Sequence, residues 1–299
     1  MGKRTFGARV WLLNYRPEAL NGEGGVSYGV GDITSANNVA VDVLGTGHSL
    51  AQGLDGAVAD AANHYNAANS AVQGSTAVIL YNNHDTPNSL FDGRIASTGL
   101  AREGAALLAS DINGLRSTAQ APQHYVVSGH SYGSTTVADA VMIGMRTNDV
   151  ILLGSPGTDL AHSAADLRAH LEGGQVYVGS ASSDLVTKFG DTAIPAPWLG
   201  DGATIGLGAD PASAAFGAQR FQAEVPGISS WPMVPGPLGT LATLVEDHSH
   251  YYDPGSESLR SITLITTGQG ASLDVSGLAA LPRGPGKVLD PELIRPPEW

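Results

Sequence analysis

The segment from His124 to Val137 constrains this chain more than any other, because it joins a strand pattern to a helix pattern through one tight turn. It reads HYVVSGHSYGSTTV: an apolar run ends at Ser128, and a Gly-x-Ser-x-Gly turn follows. Gly129 and Gly133 suit such a turn, since a Cβ at either position is expected to collide with the neighbouring strand or helix. This strand–turn–helix context predicts a nucleophile elbow, with the Ser131 hydroxyl exposed at its apex.

Other short apolar runs alternate with Ala-rich stretches of helical periodicity. Such runs are typical of strands buried on both faces of a parallel sheet, and the alternation predicts an α/β fold with helices on both faces. The predicted strands are Arg9–Tyr15, Asn38–Leu44, Thr76–Tyr81, His124–Ser128, Asp149–Leu153 and Gln175–Gly179. The predicted helices are Leu50–Asn69, Thr98–Arg116, Thr135–Met145 and one from about Ser256, and Gly22–Gly31 is expected to form a hairpin or loop.

We expect residues 1–280 to form a single α/β-hydrolase domain built on a mostly parallel, doubly wound sheet. Residues 187–238 depart from the strand–helix rhythm, because they are rich in Gly and Pro and contain Trp198 and Trp231. They are predicted to form a lid or loop excursion with a short strand at Phe221–Val225. Residues 281–299 are predicted to be an extended, peripheral C-terminal tail.

Composition excludes several classes of function. A formal net charge of −13, with 15 Lys and Arg residues that form no cluster, argues against a nucleic-acid partner. The sequence contains no transmembrane run, no signal-peptide core and no metal or nucleotide motif, so we expect a soluble chain without a cofactor. The absence of cysteine leaves the compartment open, and a secreted or envelope-associated location is compatible with it. The sequence does not indicate the oligomeric state.

A serine nucleophile needs an imidazole as general base and a carboxylate that orients the imidazole. In α/β-hydrolases these follow the serine in the order Asp or Glu, then His, each after a later strand. Asp184 ends the loop after the predicted strand Gln175–Gly179 and is the preferred acid, while Asp159 is the alternative after the preceding strand. His248 and His250 both lie beyond the acid, and composition does not choose between them.

The predicted oxyanion hole consists of two backbone amides. One belongs to Tyr132, the residue after the nucleophile. The other belongs to Thr46 or Gly47 in the loop after the strand that ends near Leu44, where Gly45 and Gly47 permit a close approach to the elbow. His48 and His130 are predicted to line the pocket.

Several motifs together resemble an actinobacterial α/β-hydrolase family that has been catalogued as a domain of unknown function. They cover most of the chain, from about Val10 to Gly268, and include VSGHSYGST at the elbow, LGSPG after Leu152, and HSHYYDPGS from His248. In that family the last motif reads roughly His-Ser-x-Tyr-Phe-Asp-Pro-Gly-Ser, so the resemblance implies His248 as the base, and it also supports Asp184. The chain departs from the family at Asn82–Pro87, where the family more often has a Gly-Tyr-Asp-x-Pro-like segment.

These features predict a serine hydrolase that cleaves a small-molecule or lipid ester, with Ser131, His248 and Asp184 as nucleophile, base and acid. An apolar, Trp-containing excursion would favour a lipophilic acyl group. Two alternatives stay open. The same three residues serve amidases, peptidases and acyltransferases, and a catalytically idle binding module can retain the fold.

Overall fold

The computed structural model describes residues 7–50, 53–89, 92–191, 194–195, 204–224 and 247–284. The strands among them are β1 (Val10–Arg16), β2 (Gly25–Val30), β3 (Asn38–Val43), β4 (Thr76–Asn82), β5 (His124–His130), β6 (Asp149–Leu153), β7 (Val176–Gly179), β8 (Ile194–Pro195), β9 (Thr204–Ile205) and β10 (Gln219–Phe221). The α-helices are α1 (Leu54–Ala71), α2 (Gly99–Ser117), α3 (Tyr132–Met142), α4 (Ala164–Arg168) and α5 (Glu257–Thr266).

Eight strands form one sheet in the order β1-β2-β4-β3-β5-β6-β7-β10. The strands from β4 to β10 in this order run parallel, whereas β2 is antiparallel to both β1 and β4. The predicted α/β-hydrolase fold with a mostly parallel sheet is confirmed. Because the strands are parallel, the loops after β3, β5, β6 and β7 meet at one edge of the sheet, which is where ligands bind in open α/β sheets.

Helices cover both faces of this sheet. On one face, α2, α3 and α4 pack on alternate residues of the central strands, among them Val41 and Val127. On the other face, α1 packs on Ala40 and Leu80, and α5 packs on Val126. Burial on both faces explains why the central strands are continuously apolar in sequence rather than alternating.

Local signals set most element boundaries. Ser256 caps α5 by accepting a hydrogen bond from the Leu259 amide at 3.0 Å, as expected for a helix that begins there. The third helix starts at Tyr132, three residues earlier than predicted, because the elbow leads directly into it. It ends at Met142 rather than Met145, just before Gly144, which adopts a φ of +105°.

Two strands add to the sequence prediction, one within the predicted hairpin or loop and one at a shifted position. The glycine-rich stretch Gly22–Gly31 contains β2, which forms a hairpin with β1 and joins the main sheet. The short strand expected at Phe221–Val225 instead spans Gln219–Phe221 and pairs in parallel with β7 as the last strand of the sheet. Both strands are short or rich in glycine, so their side-chain pattern is weak and pairing with a neighbour decides where they lie.

The predicted excursion 187–238 is described only in part. Its residues 194–195 and 204–205 form a small antiparallel pair of strands, and β10 belongs to the main sheet. Trp198, Trp231 and residues 225–238 lie outside the described residues, so a lid stays a prediction. The predicted peripheral tail is wrong at Arg283, which is 3% exposed and donates a hydrogen bond to Asp210 at 2.7 Å. Arg283 is buried because its guanidinium pairs with the buried carboxylate of Asp210.

Candidate active site

Ser131 lies between β5 and α3 in a strained backbone conformation, with φ +57° and ψ −131°. A positive φ is rare for a residue with a side chain and persists only where the surrounding structure holds it. The Ser131 amide donates a hydrogen bond to the Leu153 carbonyl at 2.9 Å, and the Ser131 carbonyl accepts one from the Ser134 amide at 2.9 Å. Ser131 is 8% exposed, so it is more enclosed than the sequence predicts.

Glycines surround the turn because its backbone segments are in close contact. A Cβ on Gly129 would lie 2.6 Å from the Ser134 Cα, and a Cβ on Gly133 would lie 2.6 Å from the Leu44 carbonyl oxygen. Both distances are far below van der Waals contact, so the predicted reason for these two glycines is confirmed. The turn has the strand–turn–helix geometry of a nucleophile elbow.

The predicted acid and the predicted base form a buried hydrogen-bonded pair. Asp184 follows β7 and is fully buried, and His248 lies in a helical turn at Asp247–Ser249 and is 9% exposed. His248 Nδ1 and Asp184 Oδ2 are 2.9 Å apart. A carboxylate only accepts hydrogen bonds, so Nδ1 carries the proton and Nε2 of the neutral ring is an acceptor.

Gly154 brings this pair against the elbow. A Cβ on Gly154 would lie 2.8 Å from His248 Cε1 and 2.9 Å from Asp184 Oδ2. Gly154 follows Leu153, whose carbonyl binds the Ser131 amide, so β6 supports the serine and the imidazole at adjacent residues. His248 Nε2 is buried and has no hydrogen-bond partner within the part of the chain that the structure describes. The ring therefore keeps one nitrogen without a partner among these residues, and it contacts Gly154, the residue after the Leu153 carbonyl that binds Ser131.

Asp184 is held as a carboxylate by several donors. Its Oδ2 accepts a second hydrogen bond from the Tyr251 hydroxyl at 2.7 Å, and its Oδ1 accepts one from the Val186 amide at 2.9 Å. Burial by itself raises the pKa of Asp184, but the His248 ring and the hydrogen bonds from His248 and Tyr251 together hold that pKa below its ordinary value.

His130 fixes the loop that carries His248. Its ring lies 4.6 Å from the His248 ring, centroid to centroid, and His130 Nε2 donates a hydrogen bond to the His248 carbonyl at 2.6 Å. Burial and the neighbouring His248 together lower the pKa of His130 to about 3, so the ring is neutral at physiological pH. His130 was predicted as a pocket residue, and it both borders a cavity and contacts His248.

The alternative acid and base residues are engaged elsewhere. Asp159 accepts hydrogen bonds from Arg102 at 2.6 and 3.1 Å. His250 Nδ1 donates to Asp253 at 2.6 Å. The geometry therefore favours Asp184 and His248 over these two.

The predicted oxyanion loop lies against the elbow through Gly45. A Cβ on Gly45 would lie 2.8 Å from the Ser131 Cβ and 3.1 Å from the Tyr132 nitrogen. The Gly47 amide donates to the Pro87 carbonyl at 2.9 Å, which argues against Gly47 as an oxyanion donor. The amides of Thr46 and Tyr132 have no hydrogen-bond acceptor among the described residues, so they are the better candidates.

Comparison with known proteins assigns the family. The sequence model of an α/β-hydrolase family matches residues 20–194. The chain belongs to this family. The matched part of this α/β-hydrolase includes the elbow, Gly154 and Asp184, and it ends before His248.

The relatives of this α/β-hydrolase include longer proteins. An uncharacterised protein of Mycobacterium tuberculosis is 42% identical over 323 residues, covering 96% of this chain and 47% of that protein. An uncharacterised protein of Mycobacterium bovis is 32% identical over 144 residues, covering 46% of this chain and 53% of that protein. The chain thus spans about half the length of the curated relatives it matches.

Among solved structures, carboxyl esterase 2 of the fungus Tuber melanosporum aligns over 91% of this chain and 89% of its own, with a TM-score of 0.47 and 12% identity.

Two kinds of feature are absent from the described part of the α/β-hydrolase. Within it, no group of three or more His, Cys, Asp or Glu residues could hold a metal ion. None of its described helices is long and apolar enough to cross a membrane.

Sequence reasoning missed two residues of the candidate site, Tyr251 and Gly154. Both lie inside motifs that carried the family resemblance, HSHYYDPGS and LGSPG. Their position in those motifs was a signal, but neither the Tyr251 hydrogen bond to Asp184 nor the contact of Gly154 with His248 follows from spacing along the chain.

Proposed function

We propose that this α/β-hydrolase is a serine hydrolase that cleaves carboxylic esters through an acyl-enzyme. The observation that carries the proposal is the orientation of His248: Nδ1 is bound to buried Asp184, while Nε2 is buried and unpartnered among the described residues, beside the elbow of Ser131. A strained serine near an imidazole that a buried carboxylate orients is the arrangement required for nucleophilic attack on an acyl group.

In the proposed mechanism, Ser131 Oγ attacks the ester carbonyl while His248 Nε2 takes its proton. Asp184, assisted by Tyr251, stabilises the imidazolium that forms. The amides of Tyr132 and Thr46 bind the oxyanion of the tetrahedral intermediate. His248 then gives the proton to the departing alcohol oxygen, and water activated by the same imidazole releases the acid.

The test compares wild type with Ser131→Ala on p-nitrophenyl esters of increasing chain length. Wild-type turnover is expected to fall by at least about 10⁴-fold in the variant, because the nucleophile is removed while the fold is retained. Circular dichroism of both proteins checks that the fold is intact. The chain-length profile also tests the predicted lipophilic acyl group.

Labelling with a fluorophosphonate separates the alternatives. Labelling of Ser131 without turnover of any ester would favour an amidase, peptidase or acyltransferase. No labelling of wild type would favour a catalytically idle module and contradict the proposal.

A further inference from the structure

A cavity of about 600 Å³ lies beside the candidate site, on the face of the sheet that α1 covers. It is lined by His130, which precedes Ser131, and by Ser249 and His250, which follow His248. In the mechanism proposed above, the imidazole must give its proton to the departing alcohol, so the leaving group has to lie on the side of the His248 loop. Neither Ser131 nor His248 is among the lining residues, so the cavity adjoins the reacting groups through their neighbours in the chain.

The wall formed by α1 leaves room for a compact group. Helix α1 contributes small residues there, including Gly56, Ala57 and Ala61, and the cavity volume is within the range of small-molecule sites.

The polar groups of the cavity are mostly hydrogen-bond acceptors. His48 Nδ1 lies 3.0 Å from the Gly45 carbonyl and must donate to it, as His130 Nε2 does to the His248 carbonyl and His250 Nδ1 does to Asp253. Burial lowers the pKa of His48 and of His130, so these two rings are neutral and their second nitrogens are acceptors. A ligand that satisfies these nitrogens has to bring donors of its own.

Asp60 adds a carboxyl group to the same cavity. This carboxyl group makes no hydrogen bond or ion pair within the described part of the chain. Burial, together with the charges of Asp253 and Asp42 and against the opposing effect of His250, raises the pKa of Asp60 to about 7. Near neutral pH the carboxyl can therefore both donate and accept a hydrogen bond, as a hydroxyl group does.

The chemistry of the lining excludes an anion and favours a neutral ligand. The cavity has three aspartates in its wall, Asp42, Asp60 and Asp253, and neither lysine nor arginine among its described lining residues. An ammonium group would also supply donors, but a carboxyl group that is half neutral at pH 7 and an Asp253 already bound to His250 offer it little negative charge. Hydroxyl groups match both the acceptors and the carboxyl.

We propose that this cavity is the leaving-group subsite and that it binds a polyhydroxylated alcohol, such as a glycerol or sugar moiety, through His48, Asp60 and His250. The inference rests on the proposed ester hydrolysis and specifies its substrate class. On cleavage, the bond between the acyl carbon and the alcohol oxygen breaks, and that oxygen leaves with the proton from His248 as a free polyol hydroxyl.

The experiment compares propyl, glyceryl and glucosyl esters of one fatty acid. Wild type is expected to favour the glyceryl or glucosyl ester over the propyl ester by about tenfold in kcat/KM, because the hydroxyls gain hydrogen bonds that a propyl group cannot make. In Asp60→Leu, and in His250→Phe as a second variant, this ratio should fall to about one. Asp55→Leu is the matched control on the exposed side of α1, and it should keep the wild-type ratio.

A binding measurement that needs no turnover keeps this inference separate from the proposed function. Saturation-transfer NMR with methyl glucoside should detect binding to wild type and to Asp55→Leu but not to Asp60→Leu. This result would support the subsite even if no ester were cleaved. Three results would overturn the inference while leaving ester hydrolysis intact. The first is equal kcat/KM for the propyl and polyol esters in wild type. The others are a stronger preference for an ethanolamine ester and the absence of methyl glucoside binding.

Discussion

At the residue scale, His248 Nδ1 and the Tyr251 hydroxyl bind the same oxygen of Asp184, which is fully buried. The Tyr251 hydroxyl also accepts a hydrogen bond from the Ala181 amide at 3.0 Å, so the loop after β7 and the His248 loop are tied together at the carboxylate. Such partners behind an acid fix its orientation and limit the states it can adopt. Asp159, in contrast, is paired with Arg102 at a site that lies partly in solvent.

Replacing Asp184 by Asn should lower kcat/KM for a p-nitrophenyl ester by about 10⁴-fold, because the amide can leave the His248 ring in the wrong tautomer. Asp159→Asn is the matched control. Its kcat/KM should stay within about twofold of wild type, because Asp159 pairs with the exposed Arg102 and not with His248. Initial rates of both purified variants provide the measurement. A comparable loss in Asp159→Asn alone would transfer the role of the acid to that residue.

At the element scale, a buried polar network lies under the elbow and joins elements that are distant in sequence. Asp42 on β3 accepts hydrogen bonds from Ser128 on β5 at 2.7 Å and from Tyr252 at 3.1 Å, and it lies 2.9 Å from His64 Nδ1 on α1. His64 Nε2 lies 2.9 Å from the Thr266 hydroxyl on α5. Because burial strengthens such contacts and makes lost partners costly, we expect the network to hold both helices against the strands that carry the site.

His64→Leu should destabilise the protein by about 3 kcal/mol, since it removes a hydrogen-bond partner of a buried carboxylate. His124→Leu removes a hydrogen-bond partner of Asp149, and the side chains of this pair are 24% (His124) and 11% (Asp149) exposed. This change should lower the free energy of unfolding by less than about 1 kcal/mol. Urea unfolding followed by circular dichroism measures both changes in the free energy of unfolding. Equal losses of unfolding free energy in the two variants would show that the network under the elbow contributes no more to stability than the His124–Asp149 pair.

At the scale of the whole molecule, the chain carries a formal net charge of −13, and some of its carboxyl groups lie close to other acidic residues. Asp60 is the clearest case, because burial and the nearby Asp253 and Asp42 raise its pKa to about 7. A carboxyl whose folded-state pKa is raised contributes stability that is fully present below its unfolded pKa and is lost as the pH rises through about 7.

Asp60→Asn should therefore raise the Tm at pH 8 by a few degrees, because the amide avoids burying a charge. The gain should shrink as the pH falls through 7 and disappear towards pH 4, where the wild-type carboxyl is protonated in the folded state. Thermal unfolding of wild type and variant across this pH range is the measurement. Asp55→Asn, at an exposed position of the same helix, should show no such trend, and a gain that did not vary with pH would contradict the argument.

Much of the fold followed from the sequence alone, because its signals are local. The runs that became β3 to β7 are short, apolar and bounded by turn residues. Each strand ends within one residue of its predicted range, apart from two extra residues at the end of β5. The elbow is equally local, since the strand, the two glycines and the helix start all lie within fourteen residues. The order of Asp184 and His248 after the serine followed from chain order in the fold class and from the family resemblance.

Contacts between distant segments decided what the sequence left open. The Gly47 amide donates a hydrogen bond to the carbonyl of Pro87, forty residues away in the chain. In the same loop, Gly45 is the residue that packs against Ser131. Strand β10 forms because three residues pair with β7 at the edge of the sheet. Arg283 is buried because it donates a hydrogen bond to the carboxylate of Asp210. Periodicity and turn chemistry determine elements because they depend on neighbours along the chain, whereas hydrogen-bond partners and cavity walls depend on which elements pack together, and only the tertiary structure decides that.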